Sequence, residues 1–543
     1  MTGRARARVV ASEPAGSQSS SCGRERHRLW ISAALLPAIL LGALLLRLLL
    51  SARLELESDE AIVGLMGRHI LEGERPVFYY GQVYMGALEA YLVALAFSLA
   101  GISVFAMRLV TIALSLLFCY LIYLLGSRLY SQRVGLASAL YVSIAPLLLT
   151  VWSVKVRGGY VETLVLGTAL LVLLHDITIR ERHEVWRLIL FGITAGLGSW
   201  VNQLILPYLI VTALFVVLRL SRRAIRVALV SVPAFLVGSL PLWVWNVQNE
   251  LATFSEIARA NSTGLAGLLE LPRNLARVAF LAMPPLLGFV EPTTDMRLFG
   301  EMRRAEFSAF ALGFVATVGL AVLGFRWLVA TPRPWRRHLT ARPDSPLILL
   351  LLITPTMFAL SKGAPNLWGE PRYLVPMYSA VPFFVACLLP LVERRRYVAV
   401  ALVVAVLAFN LRSNLPVLLG LEVARYPEPA VQYLLERGNT RIYADYWLAY
   451  VLAFESDERI KAAVIDKRVE DGVRLVDNRY EPYIGAVADS ANPAFVFAAG
   501  SAADQAFERL LIEQGTRYRR GEADMVAVYD DLQPAPPVAG QAR

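Results

Sequence analysis

The chain has 543 residues, 57% of them hydrophobic and only 18% charged, where a soluble globular domain carries about 25% charged. That balance excludes a soluble fold and indicates an integral membrane protein. The net charge of +10 arises from Lys and Arg residues set between apolar runs, the pattern of positive inner loops and not of a nucleic-acid surface.

Residues 1–29 are Arg- and Ser-rich and aperiodic, which predicts a disordered cytoplasmic tail. Cys22 has no apolar segment before it, against a lipidation signal, and the first apolar run is too long for a cleavable leader. That run, Trp30–Leu50, follows Arg24, Arg26 and Arg28, so it is expected to exit outward. Ser58-Asp59-Glu60 then opens a segment whose apolar residues recur at helical spacing (Ile62, Leu65, Met66, Ile70) up to a stop at Gly73. It reads as a half-buried helix on the outer membrane surface. Gly86–Gly101, carrying Glu89, is short for a span and reads as a second interfacial helix.

Regular alternation follows. The predicted spans are Val104–Leu125, Val134–Val151, Leu164–Ile177, Leu188–Trp200, Leu204–Leu220 and Val227–Trp245. After a long outer segment, Asn246–Arg304, come Phe307–Val329, Leu347–Leu360, Tyr373–Val392 and Tyr397–Phe409. That makes about eleven spans, with nearly all basic loops on one face. After Asn414 strand-like runs (Arg441–Tyr446, Ile460–Ile465, Ala494–Ala498, Met525–Tyr529) alternate with helix-like ones. Residues 30–415 are therefore assigned to a membrane domain and 416–543 to a small α/β domain, extracytoplasmic by span parity. The Gly196-Leu197-Gly198 stretch reads as helix packing, and Cys119 and Cys387 as inert apolar-span residues.

By this topology Asp59, Glu60, Glu89, Lys155, Arg157, Glu162, Lys362, Glu370 and Arg372 converge on the outer face. Charge at a membrane boundary is costly unless used. A carboxylate can deprotonate a hydroxyl nucleophile, while Arg, Lys or a divalent ion can stabilise a departing phosphate. The bland alternatives are a helix cap for Asp59 and Glu60, a helix-start acid for Glu162 and an interfacial anchor for Arg372.

The arrangement resembles the membrane-embedded GT-C glycosyltransferases, in particular glycosyltransferase family 39, the protein mannosyltransferase and aminoarabinose transferase group. The resembling stretches are Ser58-Asp59-Glu60-Ala61, Tyr79 to Tyr91, Arg157-Gly158-Gly159-Tyr160-Val161-Glu162 and Pro371-Arg372-Tyr373-Leu374-Val375-Pro376, within roughly residues 30–400. The resemblance implies a GT-C-like polytopic helical fold with two interfacial helices in the first outer loop. It implies Asp59 as catalytic base, Glu162 as a second acid and Arg372 on the lipid-linked phosphate. Aminoarabinose transferases carry a Glu-Lys pair before the second interfacial helix; here that region reads Tyr80-Gly81-Gln82, so neither their metal site nor their sugar follows.

The expected activity is sugar transfer, with inversion, from a polyprenyl-phosphate-linked donor to a glycan, lipid or protein acceptor, at the extracytoplasmic face of the inner membrane. Asp59 and Glu60 form the candidate catalytic pair; Glu162, Arg372, Tyr373, Arg157, Tyr80, Gln82 and Glu89 are candidate substrate contacts. Asp59 and Glu162 are candidate ligands of a divalent metal. The alternatives are a transporter or flippase of lipid-linked sugars, which would show repeated halves with broken helices, and an assembly partner acting through its terminal domain.

Overall fold

The computed structural model describes residues 16–261, 264–289, 342–361, 371–386, 396–420, 428–470 and 472–540. The first helix, α1, runs Gly16–Ser51, so residues 16–29 are helical and not the aperiodic tail expected of them. Helix continuation past Trp30 satisfies backbone groups that an abrupt start at the apolar boundary would leave open.

Helix α2, Ser58–Glu72, falls where the apolar period predicts it. It stops at Gly73, whose left-handed backbone (φ 113°) directs its N–H to the carbonyls of His69 and Ile70. The expectation of a half-exposed surface helix is corrected: Ser58, Glu60 through Gly67, and His69 are all buried. Helix α3, Leu88–Ala100, covers one side of α2, and a helix of the terminal domain covers the other. A two-stranded hairpin, β1 (Phe78–Tyr79) and β2 (Gln82–Gly86), leads into α3.

Helix α4 spans Val104–Leu129. The expected span Val134–Val151 is instead α5 (Gln132–Ser143) and α6 (Leu147–Trp152), because Pro146 has no N–H to continue the ladder. Helices α7 (Tyr160–Thr178), α8 (Val185–Val201) and α9 (Leu206–Leu220) follow. The expected Val227–Trp245 span is broken into α10 (Arg223–Gly238) and α11 (Leu240–Gln248), bent by 62°. Gly196 packs against α10, where a Cβ would lie 2.1 Å from the Phe235 carbonyl oxygen, so close backbone approach explains that glycine. Helices α12 (Ala252–Asn261), α13 (Gly264–Arg277) and α14 (Met283–Leu286) follow, then α15, Ser345–Leu360.

The expected span from Tyr373 is corrected as well. Pro371–Ser379 is a 3-10 helix leading to α16, Val381–Ala386, since Pro376 and Pro382 interrupt any regular helix there. Helix α17 is Arg396–Leu418. The predicted span Phe307–Val329, the candidates Lys362 and Glu370, and Cys22's side chain lie outside the described residues. Among the described residues, four helices are singly long and apolar enough to cross a membrane, or five counting the bent pair.

The terminal domain holds α18 (Glu428–Glu436), β3 (Arg441–Ala444), α19 (Tyr446–Glu455), β4 (Lys461–Val464) and β5 (Val473–Arg474). It ends with α20 (Glu481–Ala488), β6 (Ala494–Ala498), α21 (Ala502–Glu513), β7 (Arg517–Ala523), β8 (Val526–Gln533) and β9 (Val538–Ala539). Its five-stranded sheet has the order β4-β3-β6-β8-β7, parallel at β4-β3-β6 and antiparallel through β8 and β7. One apolar core runs without a break from α2, α3, α4 and α7 into Leu448–Phe454 of α19. At its centre the Phe454 ring sits on Gly64, where a Cβ would meet it at 2.5 Å.

Candidate active site

Asp59 is half-buried in the first turn of α2, where a carboxylate complements the free backbone N–H groups. Its Oδ1 accepts a hydrogen bond from the Tyr446 hydroxyl at 2.6 Å, and its carbonyl oxygen accepts one from the Tyr79 hydroxyl at 2.6 Å. Burial, and then the Asp59 charge, push the Tyr446 hydroxyl well above the usual tyrosine range, so it is a donor here. The Arg479 guanidinium lies over the Tyr446 ring, 5.5 Å from its centroid. With its amide oxygen turned to that guanidinium, Gln82 accepts from Arg479 at 3.1 and 3.2 Å.

Glu60, one residue on, is fully buried and faces inward. Arg108 of α4 grips it with two nitrogens, Nε to Oε1 at 2.9 Å and Nη2 to Oε2 at 2.7 Å. The same guanidinium donates to the carbonyls of Ser51, Leu54 and Glu55, each at 2.8 Å. This pair therefore clamps the α1–α2 connection. Glu57 takes Lys155 Nζ at 2.8 Å and Arg157 Nη2 at 2.7 Å, and Arg157 Nε also donates to it. Burial opposes ionisation there, but the Arg157 and Lys155 cations outweigh it and hold the Glu57 carboxyl down at about 2. Arg157, stacked 4.5 Å from the Trp152 ring centroid, is thus engaged with Glu57.

Glu89 of α3 meets the start of α7. Its Oε2 accepts from the backbone N–H of Gly158 and, at 3.3 Å, of Gly159. Both glycines are left-handed (φ 86° and 83°), which turns successive N–H groups toward one anion. Any side chain at Gly158 would strain this left-handed backbone, and its Cβ would push aside the Met85 Cε, 2.3 Å away. Glu162, in the first turn of α7, is buried at 2% exposure, and neither carboxylate oxygen has a hydrogen-bond partner among the described residues. Its charge is close enough to act on Glu89. Such an unsatisfied buried carboxylate calls for a cation, a proton or a substrate hydroxyl.

Around Tyr160 the separate stretches meet. Arg372 and Asp59 both act electrostatically on Tyr160, and Arg372 with Arg479 on Tyr84. The Arg372 guanidinium lies 5.3 Å from the Tyr373 ring, which stacks on Phe358. Tyr80 goes elsewhere: it stacks on Tyr480 at 4.7 Å, with its hydroxyl shared by Glu74 and His69. Asp59, Gln82, Arg372 and Tyr373 thus share one neighbourhood, Glu89 and Glu162 a second beside it, and Glu60 and Arg157 are held in ion pairs.

Two places hold metal-ligand types. Glu162 offers oxygens alone, and Asp59 commits Oδ1 to Tyr446. His69, Glu72 and Glu458 bring ligand atoms within 4.8 Å of one another. Yet His69 Nε2 already bonds Glu458 at 3.0 Å, and Arg68 reaches Glu72 at 3.3 Å and Glu458 at 3.4 Å. That trio fits an ion-pair cluster between α2 and the terminal domain better than a metal centre.

Glu57, Arg108, Tyr446 and Arg479 were not singled out from sequence. Arg108, a charge inside an apolar run, carried a usable signal. Tyr446 and Arg479 carried none, since neither sits in a motif.

Residues 86–245 match the family model of dolichyl-phosphate-mannose-protein mannosyltransferases. A comparison with curated proteins finds no match. Among solved structures, the chain is similar to ArnT from Cupriavidus metallidurans bound to undecaprenyl phosphate. The TM-score is 0.58 at 12% identity, covering 92% of this chain and 97% of that one. It is similar also to the archaeal oligosaccharyltransferase AglB from Archaeoglobus fulgidus, in complex with an inhibitory peptide and a dolichol-phosphate. There the TM-score is 0.53 at 14% identity, covering 94% and 76%. At such identities the likeness carries the fold.

Proposed function

We propose that this chain, which has the fold of the GT-C membrane glycosyltransferases and resembles family 39, transfers a sugar from a polyprenyl-phosphate-linked donor to an acceptor hydroxyl or amide. The observation that carries the reading is the Asp59 carboxylate. It is half-open at a helix N-terminus, fixed through one oxygen, and shares a neighbourhood with the Arg372 cation. Support for the donor class comes from the lipid phosphates bound by both solved relatives.

In this reading Asp59 is the catalytic base and takes the acceptor proton as the acceptor attacks the anomeric carbon. The bond from that carbon to the phosphate oxygen breaks, and the electron pair leaves with the phosphate. Attack opposite the leaving group inverts the centre. A phosphate leaves readily as an anion, so no general acid is required; Arg372 stabilises its charge. Tyr373 and Gln82 contact the donor, and Glu162, whose oxygens have no partner among the described residues, receives an acceptor or sugar hydroxyl. Glu60 holds the loop that presents Asp59 by pairing with Arg108, and touches no substrate. The site faces the extracytoplasmic side, with the N-terminus cytoplasmic. No step needs a metal; where one binds, Glu162 supplies oxygen ligands and the ion adds charge to offset the phosphate.

The test is transfer from a panel of radiolabelled undecaprenyl-phosphate sugars in proteoliposomes. Wild type should consume at least one donor, and Asp59→Asn should slow that transfer by about a hundredfold to ten-thousandfold. Full activity in Asp59→Asn removes the base assignment; sugar translocation without transfer would make the protein a flippase.

A further inference from the structure

The terminal domain is not a separate appendage. Its α19 lies along α2, with Phe454 on Gly64 and stacked near Phe97, ring centroids 6.4 Å apart. Arg68 reaches Asp457 at 3.3 Å, His69 reaches Glu458 at 3.0 Å, and Tyr80 stacks on Tyr480. These contacts run the length of α2 and fix the domain's angle upon it. At the other end the N-terminus of α19 meets the N-terminus of α2. There Ser58 donates to the Tyr446 carbonyl, and the Tyr446 hydroxyl donates to Asp59.

We propose that the terminal α/β domain forms part of the transfer site, and that Tyr446 is the residue that positions the Asp59 carboxylate. The inference rests on the reading of Asp59 as the base. Three features of the geometry carry it. Tyr446 is itself immobilised: Asp445 caps α19 by accepting from the Trp447 N–H at 2.9 Å. The Tyr446 ring packs edge-on against Trp447 and Tyr450, at 5.2 and 5.8 Å. Its hydroxyl bonds one carboxylate oxygen only; among the described residues no hydrogen bond reaches Asp59 Oδ2, which can take a proton. And Tyr446 lies two residues past the carboxyl end of β3, the edge at which parallel α/β sheets present residues to ligands.

A phenol bonded to a carboxylate does two things at once. It fixes the rotamer of the base, and by occupying Oδ1 it leaves Oδ2 as the oxygen turned to the acceptor. Arg479, over the Tyr446 ring and bonded to Gln82, ties this pair to the hairpin that precedes α3. The transfer site would then have walls from both the membrane helices and the terminal domain.

The experiment is Tyr446→Phe in the full chain, which deletes one oxygen and keeps the ring contacts. The rate constant kcat should fall by about tenfold to a hundredfold at unchanged donor KM, because the base loses the bond that fixes its rotamer. In an Asp59→Asn background the same change should have no further effect. Asp457→Asn, which weakens docking at the far end of α2, is the control and should leave kcat in place. Wild-type kcat in Tyr446→Phe overturns the proposal, as does an equal fall in Asp457→Asn, which would assign the effect to docking. Full transfer by Asp59→Asn would instead reject the base reading on which the proposal rests.

Discussion

Adjacent carboxylates should fail in opposite ways. Glu60→Gln removes the negative charge that Arg108 grips at 2.9 and 2.7 Å, in a place where the glutamate side chain is 0% and the arginine 2% exposed. Leaving one buried charge without its partner costs about 3–5 kcal/mol. Three carbonyl bonds from Arg108 to residues 51, 54 and 55 survive, and a glutamine oxygen still accepts one bond, so the loss belongs at the lower end, about 3 kcal/mol. Asp59→Asn loses no ion pair; Asp59 is the second residue of α2 and not its cap, so only a first-turn charge is lost, and Asn can still accept from Tyr446, so stability should change by under about 1 kcal/mol. Thermal unfolding of the detergent-solubilised protein, followed by tryptophan fluorescence, reads the first quantity; donor turnover per folded molecule reads the second. Glu60→Gln should unfold earlier yet retain turnover when folded, and Asp59→Asn should be stable and inactive. A Glu60→Gln protein as stable as wild type but inactive would refute the division of labour.

Arg372→Lys keeps the charge but loses the planar fork, so donor KM should rise by about tenfold or more while the protein stays folded. Wild-type donor kinetics in Arg372→Ala would reduce Arg372 to an interfacial anchor. Gly64→Leu drives a side chain into the Phe454 ring, 2.5 Å from where the Cβ would sit, so the terminal domain should undock and limited proteolysis of the α19 region, Tyr446–Glu455, should accelerate. Glu57 is depressed to about 2 by Arg157 and Lys155, so its contribution to stability is complete above its unfolded value near 4.5 and is lost as pH falls through about 2. Acid unfolding of Glu57→Gln should therefore lose stability less steeply between those limits, and an unchanged slope would count against the ion-pair cluster.

Much of the frame was legible in the sequence because its signals are local. The apolar period and Gly73 place α2 to within a residue, since side-chain spacing and a left-handed stop act within one helix. The two broken spans were misjudged as continuous. Pro146 marked one of them, but whether a proline kinks, ends or merely bends an apolar segment depends on what neighbouring helices offer the freed backbone groups. The segment at Tyr373 failed in the same way. Its length and apolarity suit a span, while Pro371, Pro376 and Pro382 favour the tight, short turns observed.

Composition by itself determined that the protein lives in a membrane, and the residue types at Ser58-Asp59-Glu60 that a polar site opens there. It could not tell Asp59 from Glu60. Neighbours on a helix point about 100° apart, so one must face the packed side and the other must not, but the helix alone does not say which side is packed. Partners far along the chain decide it. Arg108, 48 positions from Glu60, closes over one carboxylate, and Tyr446, 387 positions from Asp59, holds the other by a single oxygen. Burial and pairing are properties of the assembled surfaces, so the roles of these two acids exist only once α4 and the terminal domain have been brought against α2.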